Sequence, residues 1–559
     1  MTAKLDPITL ELIHSKLTSI IEEMRIVLFH SGYSTVLRES EDGSAGLLDA
    51  QLRTVAVSKK LPLHFGSFAA VSDHLAEYYK NDDLEDGDVI VFNHPYAGNV
   101  THPNDTVVLM PVFFQEQLVA FTATLAHKAD LGGPRAAHVA QDIWEEGLVI
   151  PPTKLYSRGK INPEIERFIA ANSRIPVETL GDLRGQVAAC RVGAERMRDL
   201  CGRFGVATVR DGSGELMARV AGQLRDALDA MPDGTHEAEG FLDHDGIGYE
   251  RQRRVHVVVT KKVNVTSALI KNTCYFGLMA MTDASLPFNH GFVDVVKTKF
   301  KEGTVVCPRP GAPVSYYVPL AYLTADVVLH ALGKFNPERA VGSSGGGGGV
   351  RIASSGGKGG KPWVFMELLD TALGATSIQD GISLIHGTLG VGQFRPGPIE
   401  IHETEFPLRV TRFDVRTDSG GPGKFRGGLG CTREYQLLDD AAVRVRGKGD
   451  MRSKCPPWGV LGGMPARTGF YAINGAELSE TVREAALNPG DTVQVNMNAG
   501  GGYGDPLERD PELVLGDVLD GYVSIAGARE DYAVVIEPNA LTIDWVATAE
   551  LRKNRKLGE

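Results

Sequence analysis

Apolar positions recur at intervals of three and four near the start of the chain: Leu10, Ile13, Leu17, Ile20, Ile21, Met24 and Leu28. That spacing puts one wide apolar stripe on a helix of about seven turns. Asp6 supplies an N-cap, Pro7 suits the first helical turn, and Gly32 supplies a stop. Short strands are then predicted at Gly46–Leu48 and Thr54–Val57, and a helix from about Ser67 to Tyr79. "GDVIVFNHPYAG" and "DTVVLMPVFFQEQLVAFTATLAHKAD" hold three apolar strands, the last two joined by a tight turn at Gln115–Gln117. Residues 161–231 return to helical spacing. Strands resume near Val255–Thr260, and helical patterns follow at 266–284 and 319–334.

The segment "GSSGGGGGVRIASSGGKGGKPW", 342–363, breaks this composition. From about 395, short β-rich runs alternate with Gly/Pro turns before a final α/β stretch. The expectation is a multidomain mixed α/β (α+β) fold. Its parts are an N-terminal helix with an antiparallel-rich sheet, a helical middle and a β-rich C-terminal part. Divided by composition, the segments are 1–205, 206–395 and 396–559.

At 559 residues the chain exceeds one ordinary core, and roughly three to four domains of ~150 residues are expected. The 65 glycines make up about 12% of the chain against a usual ~7%. They sit in small clusters between apolar runs, which points to tight turns and close backbone approaches. Net charge is -12, with no basic stripe carrying aromatics, so nucleic acid is not an expected partner. No apolar run reaches the length of a membrane span. The opening "MTAKLDPITLELIHSK" places charges inside its apolar pattern, unlike a secretory signal. The six cysteines are scattered without a C-x-x-C pair and read as buried thiols in a reducing compartment. The expected location is the cytoplasm.

The hairpin brings the first chemistry. His102 and Asp105 lie just before its first strand, and His127 ends its second in "AHKAD". In an antiparallel hairpin the start of one strand lies beside the end of the next. The three residues are therefore expected at one sheet edge. Two imidazoles and a carboxylate there suit zinc, manganese or ferrous iron. Three polar residues that merely end strands would give the same pattern, and the hairpin does not decide between the two readings.

A wider set of motifs bears on the question. "DPITLELI", "RESEDGSAGLLDA", "LPLHFGS", "NHPYAGNVTHPND", "AHKADLGG" and "EEGLVIPP" run in order through the first part of the chain. "GDLRGQVAA", "GVGQFRPGPIEIHE", "DSGGPGKFRGGLG", "PPWGVLGG" and "NAGGGYGDPLERDPELVLGDV" continue the series. Together they resemble the hydantoinase B/5-oxoprolinase family over nearly the whole chain. The resemblance implies one subunit of an ATP-dependent enzyme acting on cyclic amides: hydantoins, 5-oxoproline or lactams. It places the metal ligands, and with them the catalytic chemistry, on Asp42, His102, Asp105 and His127. Related subunits belong to acetone and acetophenone carboxylases, so a ketone carboxylase is the alternative. A non-catalytic scaffold subunit is a third reading.

The sequence departs from the family's pattern in places. His94 of "NHPY" stands where an Asp is usual, "GNVTH" is one residue longer, and Lys128 replaces a second His. "HVVVTKKVNVTSALIKN" lacks an expected acidic stretch. His94 is then an extra ligand or a turn histidine. Lys128 either holds an anionic intermediate or is a solvated lysine. His64, placed before a helix start, either helps receive an anion or packs as a capping-region histidine. Glu39, Asp130 and Glu146 are candidate partners of the ligands or bases, or else surface charges. His64, His94, Lys128 and Glu39 thus form a substrate-binding expectation around the four ligands.

Neither "SSGGKGGKP" nor "GPGKFRGG" has the Gly-Lys-Ser/Thr of a P-loop. Since the resemblance implies ATP, the nucleotide and its magnesium are expected on a larger hydantoinase A-type subunit, in an (αβ)2 or larger hetero-oligomer. Zinc is the expected metal here, with manganese and iron as alternatives. No G-x-S-x-G elbow or paired cysteine supports covalent catalysis.

Overall fold

The Asp6 carboxylate accepts the Thr9 amide at 3.0 Å and starts helix α1, Pro7–His30. All seven residues of the expected stripe are buried along it. The structure, a computed structural model, describes the chain apart from residues 1–4, 59–60, 70, 99, 134–139, 244–252, 261–267, 316, 355, 357–360, 391–395, 449–451, 479–484 and 558–559.

The chain forms two compact units. The first comprises Met1–Thr235, Val259–Ala321 and Pro362–Met366; the second comprises His236–Val258, Tyr322–Lys361 and Glu367–Glu559. The break expected near 205 falls inside the first unit, where Gly205 separates two helices. The break expected near 395 adjoins residues outside those described.

In the first unit, strands β1 (Gly43–Asp49), β2 (Thr54–Val57), β3 (Val89–Phe92), β4 (Asp105–Phe114), β5 (Gln117–His127), β6 (Thr153–Ser157) and β7 (Lys160–Ile161) form one sheet. Their order is β2-β1-β5-β4-β3-β6-β7, antiparallel throughout. The β4–β5 turn is made by Gln115 and Glu116, both at positive φ (50° and 63°), which matches the twist of the flanking strands. Helices of at least eight residues lying wholly within this unit, beyond α1, are α2 (Val71–Tyr78), α3 (Pro163–Ala171), α4 (Pro176–Phe204), α5 (Val206–Asp229) and α6 (Ala268–Met281). Helix α2 starts four residues later than the sequence suggests, because 62–64 form a 3-10 turn and 65–69 continue as turns. Apolar side chains of α1, α4 and the sheet share one core, including Ile13, Met24, Val108, Val112, Val187, Cys190 and Met197.

The "GDLRGQVAA" motif lies on α4 and its residues have structural partners. Asp182 accepts the amides of Tyr33 (2.7 Å) and Ser34 (3.0 Å) and the Ser34 hydroxyl (2.5 Å). Gln186 donates to the Thr106 carbonyl at 2.8 Å. The motif thus fixes the chain leaving α1 and the start of β4.

The second unit explains the glycine content. Its five-stranded sheet runs Leu408–Val415, Cys431–Leu437, Thr492–Asn496, Phe470–Ile473, Ala476–Glu477. Beside these strands, glycine-rich segments thread past one another backbone to backbone. A Cβ on Gly427 would collide with the Gly500 carbonyl, one on Gly500 with the Leu373 carbonyl, and one on Gly501 with the Trp458 carbonyl. Arg509 locks the region by pairing with Asp380 at 2.7 Å and Asp517 at 2.8 Å. Arg426 joins the same Asp517 at 3.1 Å.

No helix among the described residues is long and apolar enough to cross a membrane. All six cysteines are free; Cys307 and Cys455 are only partly buried, unlike the four buried thiols.

Two glycines give opposite expectations. Gly427→Ala forces backbone apart and should cost at least about 3 kcal/mol. Gly222, on α5, has nothing within 4 Å of a built Cβ, so Gly222→Ala should stabilise by about 0.5–1 kcal/mol. Thermal and urea unfolding of both variants checks the contrast.

Candidate metal centre

Three chain segments meet at one end of the first unit's sheet. Asp105 opens β4 directly opposite His127, which closes β5. The His127 amide donates to the Asp42 carbonyl at 3.1 Å, bringing the residue before β1 to the same end. His102 precedes β4 in a turn closed by the Asp105 amide on the His102 carbonyl at 3.0 Å. The hairpin therefore makes the juxtaposition that its strand ends imply.

Asn93 holds the loop in place. Its side-chain amide donates to the carbonyls of Pro103 (2.6 Å) and Leu148 (2.8 Å), and its oxygen accepts the Ile150 amide at 2.5 Å. Asn104 and Lys128 clasp the other side: each donates to the other's carbonyl at 2.8 Å.

Within the site, His102 Nε2 lies 3.1 Å from Asp105 Oδ1, and His127 Nδ1 lies 3.0 Å from the same oxygen. The two ring nitrogens are 3.2 Å apart. Asp42 Oδ2 stands farther out, 4.0 Å from His127 Nδ1. The Thr101 hydroxyl donates to the other Asp105 oxygen. All five side chains are buried. Burial opposes the Asp105 charge, yet the His102 and His127 imidazoles outweigh it and hold the carboxyl well below the usual carboxylate range.

This donor set fits a divalent cation. Two imidazole nitrogens and a carboxylate oxygen form a small triangle with edges of 3.0–3.2 Å. For bonds of about 2.1 Å, ligand atoms stand about 3.0 Å apart in octahedral geometry and about 3.4 Å apart in tetrahedral geometry. The triangle lies between the two. Behind His102 there is no carboxylate: its Nδ1 is buried without a hydrogen-bond partner among the described residues. The Tyr317 ring packs 4.9 Å from the imidazole instead.

The surrounding candidates divide. Lys128 is buried, so it is not a solvated lysine: its ammonium donates to Gln186 Oε1 at 2.6 Å. Burial pulls it down to about 8, against the pull of Asp182 and Asp105. His64 is fully buried in the 3-10 turn, away from any helix start, with Nδ1 2.9 Å from the Ser44 hydroxyl. Burial lowers it to about 4, leaving a neutral ring. His94 caps its own turn, with Nδ1 accepting the amides of Tyr96 and Ala97 at 3.1 and 3.2 Å. Glu39 accepts Arg38 Nε at 2.6 Å rather than joining the cluster. Asp130 pairs with Arg174.

Thr101, Asn93 and Tyr317 do not stand out in the sequence. Thr101 carries a local signal, since it adjoins His102. Tyr317 carries none, because 190 residues of chain separate it from His127.

The model of the hydantoinase B/oxoprolinase family matches residues 6–506. The chain belongs to that family. Similar members include the B component of a putative D-/L-hydantoinase from Pseudomonas sp. (strain NS671), 32% identical over 98% of this chain and 98% of the relative. The crystal structure of an ATP-dependent caprolactamase from Pseudomonas jessenii matches at TM-score 0.86 and 29% identity, covering 98% of this chain and 100% of that one. A nucleotide-free acetone carboxylase structure matches at TM-score 0.84 over 99% of this chain and 83% of that one; at 17% identity it shows a shared fold alone. Family relatives are thus subunits of ATP-dependent cyclic amidases and of carboxylases.

The Asn93 clasp generates the test of the site's architecture. Asn93→Ala leaves two carbonyls and one amide unmet at a fully buried position and should cost about 3 kcal/mol or more. Urea unfolding measures the loss, and faster amide exchange at 101–105 and 148–150 shows that the loop is freed.

Proposed function

We propose that this chain is the cation-bearing subunit of an ATP-dependent cyclic amide hydrolase, working with a separate ATP-binding subunit. The observation that carries the reading is the buried convergence of His102, Asp105 and His127, with Asp42 beside them, in a chain of the hydantoinase B/oxoprolinase family. These four side chains would hold a divalent cation, zinc in the first instance and manganese or iron otherwise. A bound cation of this kind supplies Lewis acidity to a carbonyl oxygen or to water. The chain's own residues prepare the site. Thr101 orients the Asp105 carboxylate, the paired imidazoles keep it ionised, and burial excludes bulk water.

An unstrained amide is a poor electrophile, which gives ATP its role in activating the ring. The sequence offers no P-loop, and the hydantoinase and caprolactamase relatives are each named as one component of a multi-subunit enzyme. Both points favour ATP and magnesium on a partner of hydantoinase A type. An activated intermediate passed between subunits needs a lasting interface, commonly on the order of 2,000 Å² or more.

A ketone carboxylase is the second reading and draws on the fold match. The same four side chains would then face an enolate oxygen. Identity favours the hydantoinase and caprolactamase relatives, at 29–32% against 17–24% for the carboxylases. A scaffold role sits poorly with four buried candidate ligands left intact. Labelled bicarbonate appearing in product would identify the carboxylase, whereas a released amino acid identifies the amidase.

Two outcomes are expected. His102→Ala lowers turnover of the assembled enzyme by on the order of 10²-fold or more, and chelator-treated wild type gains about 2.7 kcal/mol of stability at a hundredfold excess of cation over Kd. The variant should lose that gain; a variant that keeps both turnover and the cation-dependent shift contradicts the assignment. The isolated chain should hydrolyse neither ATP nor a lactam, and co-expression with an ATP-binding subunit should yield a co-eluting active complex. Lactam opening by the lone chain without ATP would refute the division of labour.

A further inference from the structure

One carboxyl beside the cluster has an environment that a purely structural role does not explain. Glu146 ends a 3-10 turn, Ile143–Glu146, and is 5% exposed. Its Oε1 accepts the backbone amides of Val314 at 2.7 Å and Ser315 at 2.6 Å. Its Oε2 is buried and has no hydrogen-bond partner among the described residues. Holding a loop through two amides needs only one oxygen, and leaving the second buried and unmet costs stability.

Two connections bring Glu146 to the metal centre. Through the chain it holds, 314–315 lead to Tyr317, whose ring packs on His102. On its own side, Asn93 joins Leu148 to Pro103, the neighbour of His102. The His102 imidazole lies near enough to act on the carboxyl electrostatically.

We infer that Glu146 is the proton-transfer group of this site, taking a proton from the attacking water and returning it to the ring nitrogen. This rests on the amidase reading above. As the water oxygen bonds to the amide carbon, the carbonyl π pair moves to its oxygen and the water proton passes to Oε2. As the C–N bond breaks, nitrogen keeps the bonding pair and takes that proton, and the carbonyl re-forms. Water and amide are consumed, amine and carboxylic acid are produced, Glu146 ends as it began, and the phosphoryl group that ATP supplies for activation leaves as inorganic phosphate with a second water.

The electrostatics agree with the role. Burial pushes the Glu146 carboxyl up to about 7, against the pull of the Ser315 amide, of His102, of the Ser315 side chain and of the Val314 amide. Among the described residues, the titratable groups that interact with it are His102 and the Tyr96 phenol, itself pushed up to about 12 by burial. A group balanced near neutrality serves both halves of such a transfer. His64 also has a buried unpartnered nitrogen, but burial holds it to about 4. At neutral pH it is the weaker base by roughly three orders of magnitude.

The test uses the assembled enzyme opening a lactam with ATP, comparing wild type with Glu146→Gln and Glu146→Asp. Glutamine keeps an oxygen for the two amides, so cation content and melting temperature should stay near wild type. Its kcat should fall by about 10²–10⁴-fold with KM nearly unchanged. The wild-type rate should fall on the acid side, where the base becomes protonated, and Glu146→Gln should lack that limb. Glu146→Asp should restore part of the rate and the limb with it. Glu146→Gln retaining kcat within a few-fold, or retaining the acid limb, overturns the inference alone. Loss of cation or of folding in Glu146→Gln also overturns it, in favour of a loop clamp. A wild-type complex that opens no cyclic amide refutes the amidase reading, and the inference falls with it.

Discussion

The pairing of Asp105 with His127 across the β4–β5 hairpin is the constraint on which the site depends. An antiparallel ladder admits one residue opposite another, so the two-residue turn at Gln115–Glu116 and the one-residue bulge at Val119 together set which side chains meet at the far end. The registers with Asp42 and His102 follow from that end. A slip of one residue would turn the carboxylate to the other face of the sheet. The packing of α1 and α4 on that sheet, and the hold of Gln186 on Thr106, therefore serve the chemistry at a distance.

The second unit solves a different problem. Its glycine-rich segments pass so closely that carbonyls occupy the space a side chain would need, as at Gly427 and Gly500. Such a layer buries much backbone, and the amides and carbonyls find one another across it. Buried arginines at 426 and 509 then tie the layer together through Asp380 and through Asp517, which lies on the helix Pro511–Leu519. Glycine here acts through its lack of a side chain more than through flexibility.

Much of this is legible in the sequence where the signal is local. The α1 stripe, the β4–β5 hairpin and the meeting of His102, Asp105 and His127 follow from periodicity and turn position. Asp42 is reached only through family resemblance, because β1 pairs with β5 across some eighty intervening residues. The start of α2 departs from its expected place, since 67–69 continue the turns that follow the 3-10 segment at 62–64. Lys128 is not recognisable as buried, because its partner Gln186 lies on a helix far along the chain. Tyr317 and the Val314–Ser315 amides are invisible for the same reason: nothing local marks a loop that returns to His102 or to Glu146.

X-ray absorption at the edge of the bound metal, on the purified chain loaded with zinc or manganese, reads the donor atoms of the site itself. One cation per chain is expected, with two imidazoles and carboxylate oxygens bonded to it, and loss of the imidazole signal in a His102→Ala, His127→Ala double variant that still folds. A fully folded chain that binds no divalent cation, or one whose bound cation shows no imidazole, would contradict that expectation.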